Sequence, residues 1–181
     1  MPFPRTRHAT ATTPVLLALG SNRPHGRHGP PPTVLRAAIA ALAAAGVRVR
    51  ATSRIRATAP LGPSSRTYAN ATLIVDWPGS PQALLALTQS IEQHFGRRRA
   101  RRWAARVLDI DILAMGNLTL ATSRLTLPHP ALHLRAFVLD PLLEIAPRWR
   151  HPILNATIRA LHARLHKPRA ALMPRPRGAG S

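Results

Sequence analysis

Cysteine is absent from all 181 residues, which excludes disulfides and thiolate metal sites and permits a reducing compartment. Acids are scarce, with six Asp plus Glu against 26 Lys plus Arg. Lysine is nearly missing as well: Lys167 stands alone beside 25 arginines. A G-x-x-x-x-G-K-[ST] phosphate loop is therefore excluded, and no G-x-G-x-x-G occurs. Seven aromatics are too few for a platform that stacks many bases. No apolar run approaches the roughly 20 residues of a membrane span, and the N-terminus lacks the apolar stretch of a secretory signal, so a cytoplasmic location is expected.

What is present is a chain 45% hydrophobic with a formal net charge of +20. The apolar content supports one core and one domain. The charge points to anionic partners, among them nucleotides, nucleic acids and phosphorylated small molecules, although an Arg-, Ala- and Pro-rich composition also arises from base bias in a gene. Residues 1–13 and 167–181 carry no periodicity and read as disordered tails around a domain at 14–166. Within it, 14–20, 47–55, 68–77 and 106–114 read as strands. Residues 33–45, with Thr33 as N-cap, and 80–96, with Ser80 as N-cap and Pro81 in the first turn, read as helices, with more helix at 137–146 and 155–165. The order β-α-β-β-α-β predicts an α+β fold, a ferredoxin-like sheet with helices packed on it.

Two of the six acids are neighbours: Asp109 and Asp111 in "RVLDIDILA". On a strand, residues two apart share a face and lie about 6 to 7 Å apart. Like charges so placed repel, and one stays protonated unless a cation sits with them. Salt bridges to Arg102 or Arg106 would satisfy them. Mg²⁺ suits them as well, because it prefers oxygen ligands and engages substrate phosphates. The preceding "GRRRARRWAAR" at 96–106 offers guanidinium forks for phosphate oxygens. The same run could instead be a solvated basic loop or a nucleic-acid patch.

The blocks "LALGSN" at 17–22, "TAPLG" at 58–62, "YANAT" at 68–72, "RWAARVLDIDIL" at 102–113, "RLTLPHP" at 124–130 and "RAFVLDPLLEIAP" at 135–147 together resemble the 6-hydroxymethyl-7,8-dihydropterin pyrophosphokinases of folate biosynthesis. That resemblance implies pyrophosphate transfer from ATP to the pterin hydroxymethyl group with release of AMP, and two Mg²⁺ on Asp109 and Asp111. It implies a pterin slot walled by Tyr68 and Phe137, with Asn70 and the loop around Thr58 and Leu61 reading the polar edge and Trp103 closing over the substrates. It assigns ATP contacts to Gln89, Glu92, Arg99, Ile112, Arg124, Thr126, His129 and Arg135, and charge neutralisation on the phosphates to Arg97 and Arg106. The expected partners are ATP and the pterin, with no nucleic acid and no membrane, and the expected state is a monomer.

The chain departs from the family at Ala104-Ala105, where Gly-Pro is usual, at Pro130, where an aromatic is common, and in the length of the 97–102 loop. Without the resemblance, Tyr68 and Phe137 would fit a core equally well and His129 a loop. The pairs His129-x-x-x-His133 and His162-x-x-x-His166 have helical metal spacing, but no third ligand lies near either in sequence, so no metal is expected there. A basic nucleic-acid-binding protein and an inactive relative of the family remain the competing readings.

Overall fold

A computed structural model describes residues 12–59, 67–96 and 106–167. Apart from residues 12, 13 and 167, the expected tails lie outside these residues, as do the expectations for Leu61, Arg97, Arg99 and Trp103; Thr13, expected in the tail, is already in a strand. Strands β1 (Thr13–Ser21), β2 (Arg48–Thr52), β3 (Arg56–Thr58), β4 (Tyr68–Trp77) and β5 (Asp109–Met115) form one sheet, and β6 (Leu120–Ala121) and β7 (Thr126–Leu127) a small hairpin. Helices α1 (Pro31–Ala44), α2 (Pro81–His94), α3 (Ala136–Ile145) and α4 (Ile158–His166) pack on the main sheet.

The sheet runs β2-β4-β1-β5, with β3 also on β4, and every pairing is antiparallel. Taking β2 and β3 as two parts of one interrupted strand, the order is the β-α-β-β-α-β expected. The interruption falls at Ser53. Its amide donates to the Thr72 carbonyl at 3.0 Å and its hydroxyl accepts from the Thr72 amide at 2.9 Å, so a side chain takes over one rung of the ladder.

Strand alternation sorts the apolar residues into two cores. Val15, Leu17 and Leu19 of β1, Leu73 and Val75 of β4, and Ile110 and Ile112 of β5 pack under α1 and α2. On the other face Leu16, Leu113 and Ala114 pack under α3 and α4. A register shift between Leu16 and Leu17 leaves Leu113 as an extra residue in β5, which turns Leu113 and Ala114 toward the same core.

The strand expected at 14–20 runs from Thr13 to Ser21, the one expected at 47–55 ends at Thr52, and β3, β6 and β7 form where no strand is expected. Four further expectations change. Thr33 lies inside the first turn of α1, where its hydroxyl donates to the Pro30 carbonyl at 2.7 Å, and the cap is Pro30. Pro31 and Pro32 can sit in that turn because its amides have no helical acceptors to lose. The strand expected from residue 106 begins at Asp109, because the Arg106 amide donates to Asn22 Oδ1 at 2.7 Å and its carbonyl accepts from the Asn22 amide at 3.1 Å. The expected 137–146 helix begins and ends one residue earlier, as α3. The helix expected from 155 begins at Ile158, because the Thr157 hydroxyl accepts from the Ala160 amide and Asn155 turns with φ 47°. The predicted second helix stands, with Ser80 as its cap. Among the described residues no helix is long and apolar enough to cross a membrane.

Candidate active site

The face of the sheet beneath α3 is only partly covered, and an open cleft of about 320 Å³ lies beside the helix. Its floor is β1. Gly20 pairs with Asn70 of β4 on one side and Asp109 of β5 on the other, and Ala18 pairs with Asp111. Two strand spacings therefore put Asn70 and Asp109 about 9 to 10 Å apart across a floor of the smallest side chains. That floor needs its glycine: a Cβ on Gly20 would stand 3.2 Å from Asn70 Oδ1. Ala18 and Gly20 carried no role in the sequence reading, although a glycine inside a strand run is itself a sign of close approach.

One wall is polar on its edge and aromatic on its surface. Asn70 Nδ2 donates to Thr58 Oγ1 at 2.5 Å, and Thr58, Ala59 and Tyr68 line the cleft. Phe137, in the first turn of α3, lines it from the helix side. The height of α3 over the sheet is set at its far end, where Glu144 accepts from the Arg54 amide at 3.0 Å and pairs with Arg56. Those hydrogen bonds, opposed by some burial, hold the Glu144 carboxyl below its usual value.

The opposite wall is ionic. Asp109 and Asp111 face the cleft, while Leu108, Ile110 and Ile112 are buried on the other face. Arg106 Nη1 donates to Asp109 Oδ2 at 2.6 Å, and Arg135 Nη1 lies 3.7 Å from Asp111 Oδ2. Burial, and then the Asp109 charge, push the Asp111 carboxyl above the ordinary carboxylate range, with His129, Arg135 and Arg106 pulling it back. Burial holds the His129 imidazole below its usual value against the pull of Asp111. Its Nδ1 accepts from the Ala131 amide at 3.1 Å, which leaves the proton of the neutral ring on Nε2. Burial also opposes the charge on Arg106, but Asp109, then Asp111 and Glu92, more than offset it. Two carboxylates thus face one cleft from the same strand face, and oxygen donors of this kind fit a hard divalent cation that would take the place of the guanidiniums.

A stability consequence follows. The Asp111 carboxyl titrates higher folded than unfolded, so its contribution is most favourable below the unfolded value of about 3.9 and is lost as pH rises through the folded value. At neutral pH, Asp111→Asn is therefore expected to raise Tm in EDTA. Millimolar Mg²⁺ is expected to raise Tm of the wild type and leave the variant unmoved. Thermal melts with and without Mg²⁺ check both, and an equal Mg²⁺ response in the two proteins would count against a cation on this wall.

The remaining expected residues lie around the cleft and on α2. Glu92 is buried, and its Oε1 accepts from the Ile110 amide at 2.7 Å, on the edge of β5 away from β1. Gln89 sits one turn earlier on α2. Arg124 is exposed in the turn between β6 and β7, Thr126 is exposed on β7, and His129 follows the cis Leu127–Pro128 bond, its amide donating to the Leu113 carbonyl at 2.7 Å. The structure therefore brings Thr58, Tyr68, Asn70, Arg106, Asp109, Asp111, Arg135 and Phe137 into one cleft, and sets the α2 and hairpin residues outside its lining. Asn22, at the end of the LALGSN block, gains a role only from the structure. Its grip on the Arg106 backbone makes it the link between β1 and the ionic wall.

The family model for 7,8-dihydro-6-hydroxymethylpterin-pyrophosphokinase matches residues 16–147. The chain belongs to this family. It is 41% identical over 134 residues to the 2-amino-4-hydroxy-6-hydroxymethyldihydropteridine pyrophosphokinase of Synechocystis sp., covering 74% of this chain and 69% of that protein. It is 42% identical over 137 residues to the one of Methylorubrum extorquens, covering 75% and 84%. Among solved structures it resembles Plasmodium falciparum HPPK-DHPS with pteroate, at TM-score 0.66 and 15% identity over 85% of this chain. It spans only 42% of that longer chain, and that likeness bears on the fold alone. The pyrophosphokinase fold is an α+β single domain with an antiparallel sheet and four packed helices.

Proposed function

We propose that the cleft beneath α3 is where this pyrophosphokinase transfers a pyrophosphoryl group from ATP to the hydroxymethyl group of 6-hydroxymethyl-7,8-dihydropterin. The carrying observation is that one cleft is lined both by the aromatic side chains Tyr68 and Phe137 and by the carboxylate pair, with Ala18 and Gly20 between them. There the pterin stacks against Tyr68 and Phe137, and the joined Asn70 and Thr58 side chains, with the backbone near Leu61, take its polar edge. Stacking supplies affinity and the hydrogen bonds supply orientation.

Asp109 and Asp111 would hold Mg²⁺, two ions in this reading. Bound there, the ions would offset triphosphate charge and lower the pKa of the pterin hydroxyl. The hydroxyl oxygen forms its bond to the β-phosphorus, the bond from that phosphorus to the α-phosphate oxygen breaks, AMP leaves and the hydroxyl proton is released. The chain's work is positioning and charge neutralisation. Arg106 and Arg135 exchange their carboxylates for phosphate oxygens, and Arg97, Arg99 and Trp103 close over them.

Gln89, Glu92, Arg124, Thr126 and His129 take the nucleotide. The Ile110 amide points away from β1 to reach Glu92, so by two-residue alternation the Ile112 backbone also faces that edge of β5, where a base edge could pair with it.

Incubation with ATP, Mg²⁺ and the pterin is expected to yield AMP and pterin diphosphate in equal amounts, with no AMP when the pterin is left out. Absence of AMP from folded protein would make the chain an inactive relative and end this reading.

A further inference from the structure

Outside the cleft, α3 and α4 bring together three metal-ligating side chains that sequence spacing alone left incomplete. His162 and His166 lie one turn apart on α4, their rings stacked with centroids 4.2 Å apart. Asp140, of α3, supplies the third group: its Oδ1 is 3.0 Å from His162 Nε2 and 3.8 Å from His166 Nε2. The ligand atoms of all three lie within 4.8 Å of one another. We propose that Asp140, His162 and His166 bind a divalent transition-metal ion of the zinc type, which ties α3 to α4.

Three observations carry this. Donors sharing one tetrahedral Zn²⁺, with bonds of about 2.0 to 2.2 Å, sit about 3.3 Å apart. The two Asp140 distances bracket that spacing, and with all three ligand atoms within 4.8 Å of one another, rotation of the exposed His166 side chain would bring its nitrogen into a shared tetrahedron.

The second observation is the tautomer of His166. Its Nδ1 lies 3.0 Å from the His162 carbonyl oxygen, which can only accept. Nδ1–H therefore donates, and in the neutral ring this leaves the Nε2 lone pair on the Asp140 side. A ligating histidine is commonly held this way, by a backbone carbonyl on its other nitrogen.

The third is access. Asp140 and His162 are half-buried and His166 is exposed, so an ion can enter from solvent and keep a water as its remaining ligand. Two imidazoles and one carboxylate select zinc, nickel or copper over magnesium, whereas the all-oxygen pair Asp109 and Asp111 selects the reverse. The net charge of +20 opposes any cation, so affinity in the micromolar range is expected rather than that of a buried structural site. The ion would brace α3, whose first turn carries Phe137 at the cleft.

The test is titration of the metal-free full chain with Co²⁺ and with Zn²⁺ in excess Mg²⁺, which occupies the carboxylate pair. One Co²⁺ per chain with the visible absorption of a tetrahedral ion is expected, along with a rise in Tm on adding Zn²⁺. His166→Gln, in the exposed last turn, and Asp140→Asn are each expected to weaken binding at least about tenfold, and His25→Ala to leave it unchanged. Should Asp140→Asn fold poorly, His166→Gln decides. Equal affinity in the wild type and His166→Gln, or no tetrahedral Co²⁺ spectrum, would overturn the proposal and leave the cluster a plain histidine–carboxylate contact.

Discussion

Replacing Asp109 or Asp111 by alanine is expected to lower kcat/KM at least about a hundredfold, equivalent to about 3 kcal/mol of transition-state stabilisation. The two carboxylates face one cleft from alternate positions of β5. Neither packs in the cores, so the loss should appear without loss of fold. Melts run beside the kinetics separate the two effects. Removal of Asp111 also relieves a carboxyl that burial and its neighbour hold partly against ionisation, so the Asp111 variant should melt no lower than the wild type in EDTA. Near-normal turnover in either variant would remove the carboxylate pair from the chemistry.

The second large effect is expected at Glu92. Its side chain is 2% exposed, and Oε1 accepts from the Ile110 amide at 2.7 Å. Alanine there strands a buried amide at the edge of β5 and removes a charge-assisted hydrogen bond, a cost of about 2 to 3 kcal/mol. For a domain of this size that is a fall in Tm of roughly 5 to 10 °C. Because β5 carries Asp109 and Asp111, the rate should fall as well, even well below the new Tm. Glu92→Gln keeps an acceptor at the same place and should recover most of the stability. An unchanged melting curve for Glu92→Ala would show that another group holds that edge.

The six acids of so basic a chain each have a definite place. Asp76 is paired with Arg50 and Arg48 at the β2 edge, and Glu144 with Arg56. Glu92 holds β5, Asp140 meets His162, and Asp109 and Asp111 face the cleft. Scarcity made the adjacent pair conspicuous in the sequence, but it could not tell Glu92 from a nucleotide ligand. Burial and a 2.7 Å contact show that it is, whatever else it touches, part of the frame. The element boundaries failed where prolines and side-chain hydrogen bonds replaced backbone ones, at Pro30 and Thr157 for α1 and α4 and at Asn22 for β5. Propensity patterns do not register such local competition.

By itself the sequence determined the order of the four main strands and the helices, though not β3 or the β6–β7 hairpin, the shared face of Asp109 and Asp111, and the residues that carry the family likeness. All of these follow from periods of two and 3.6 residues or from short contiguous motifs. Tertiary structure alone decided that Gly20 separates Asn70 from Asp109, that Arg106 and Arg135 reach the carboxylates, and that Asp140 completes the pair on α4. Each of these turns on strand pairing or helix packing, and on the distances between residues far apart in the chain. Those distances are set by how the two cores close over the sheet, which no local pattern encodes.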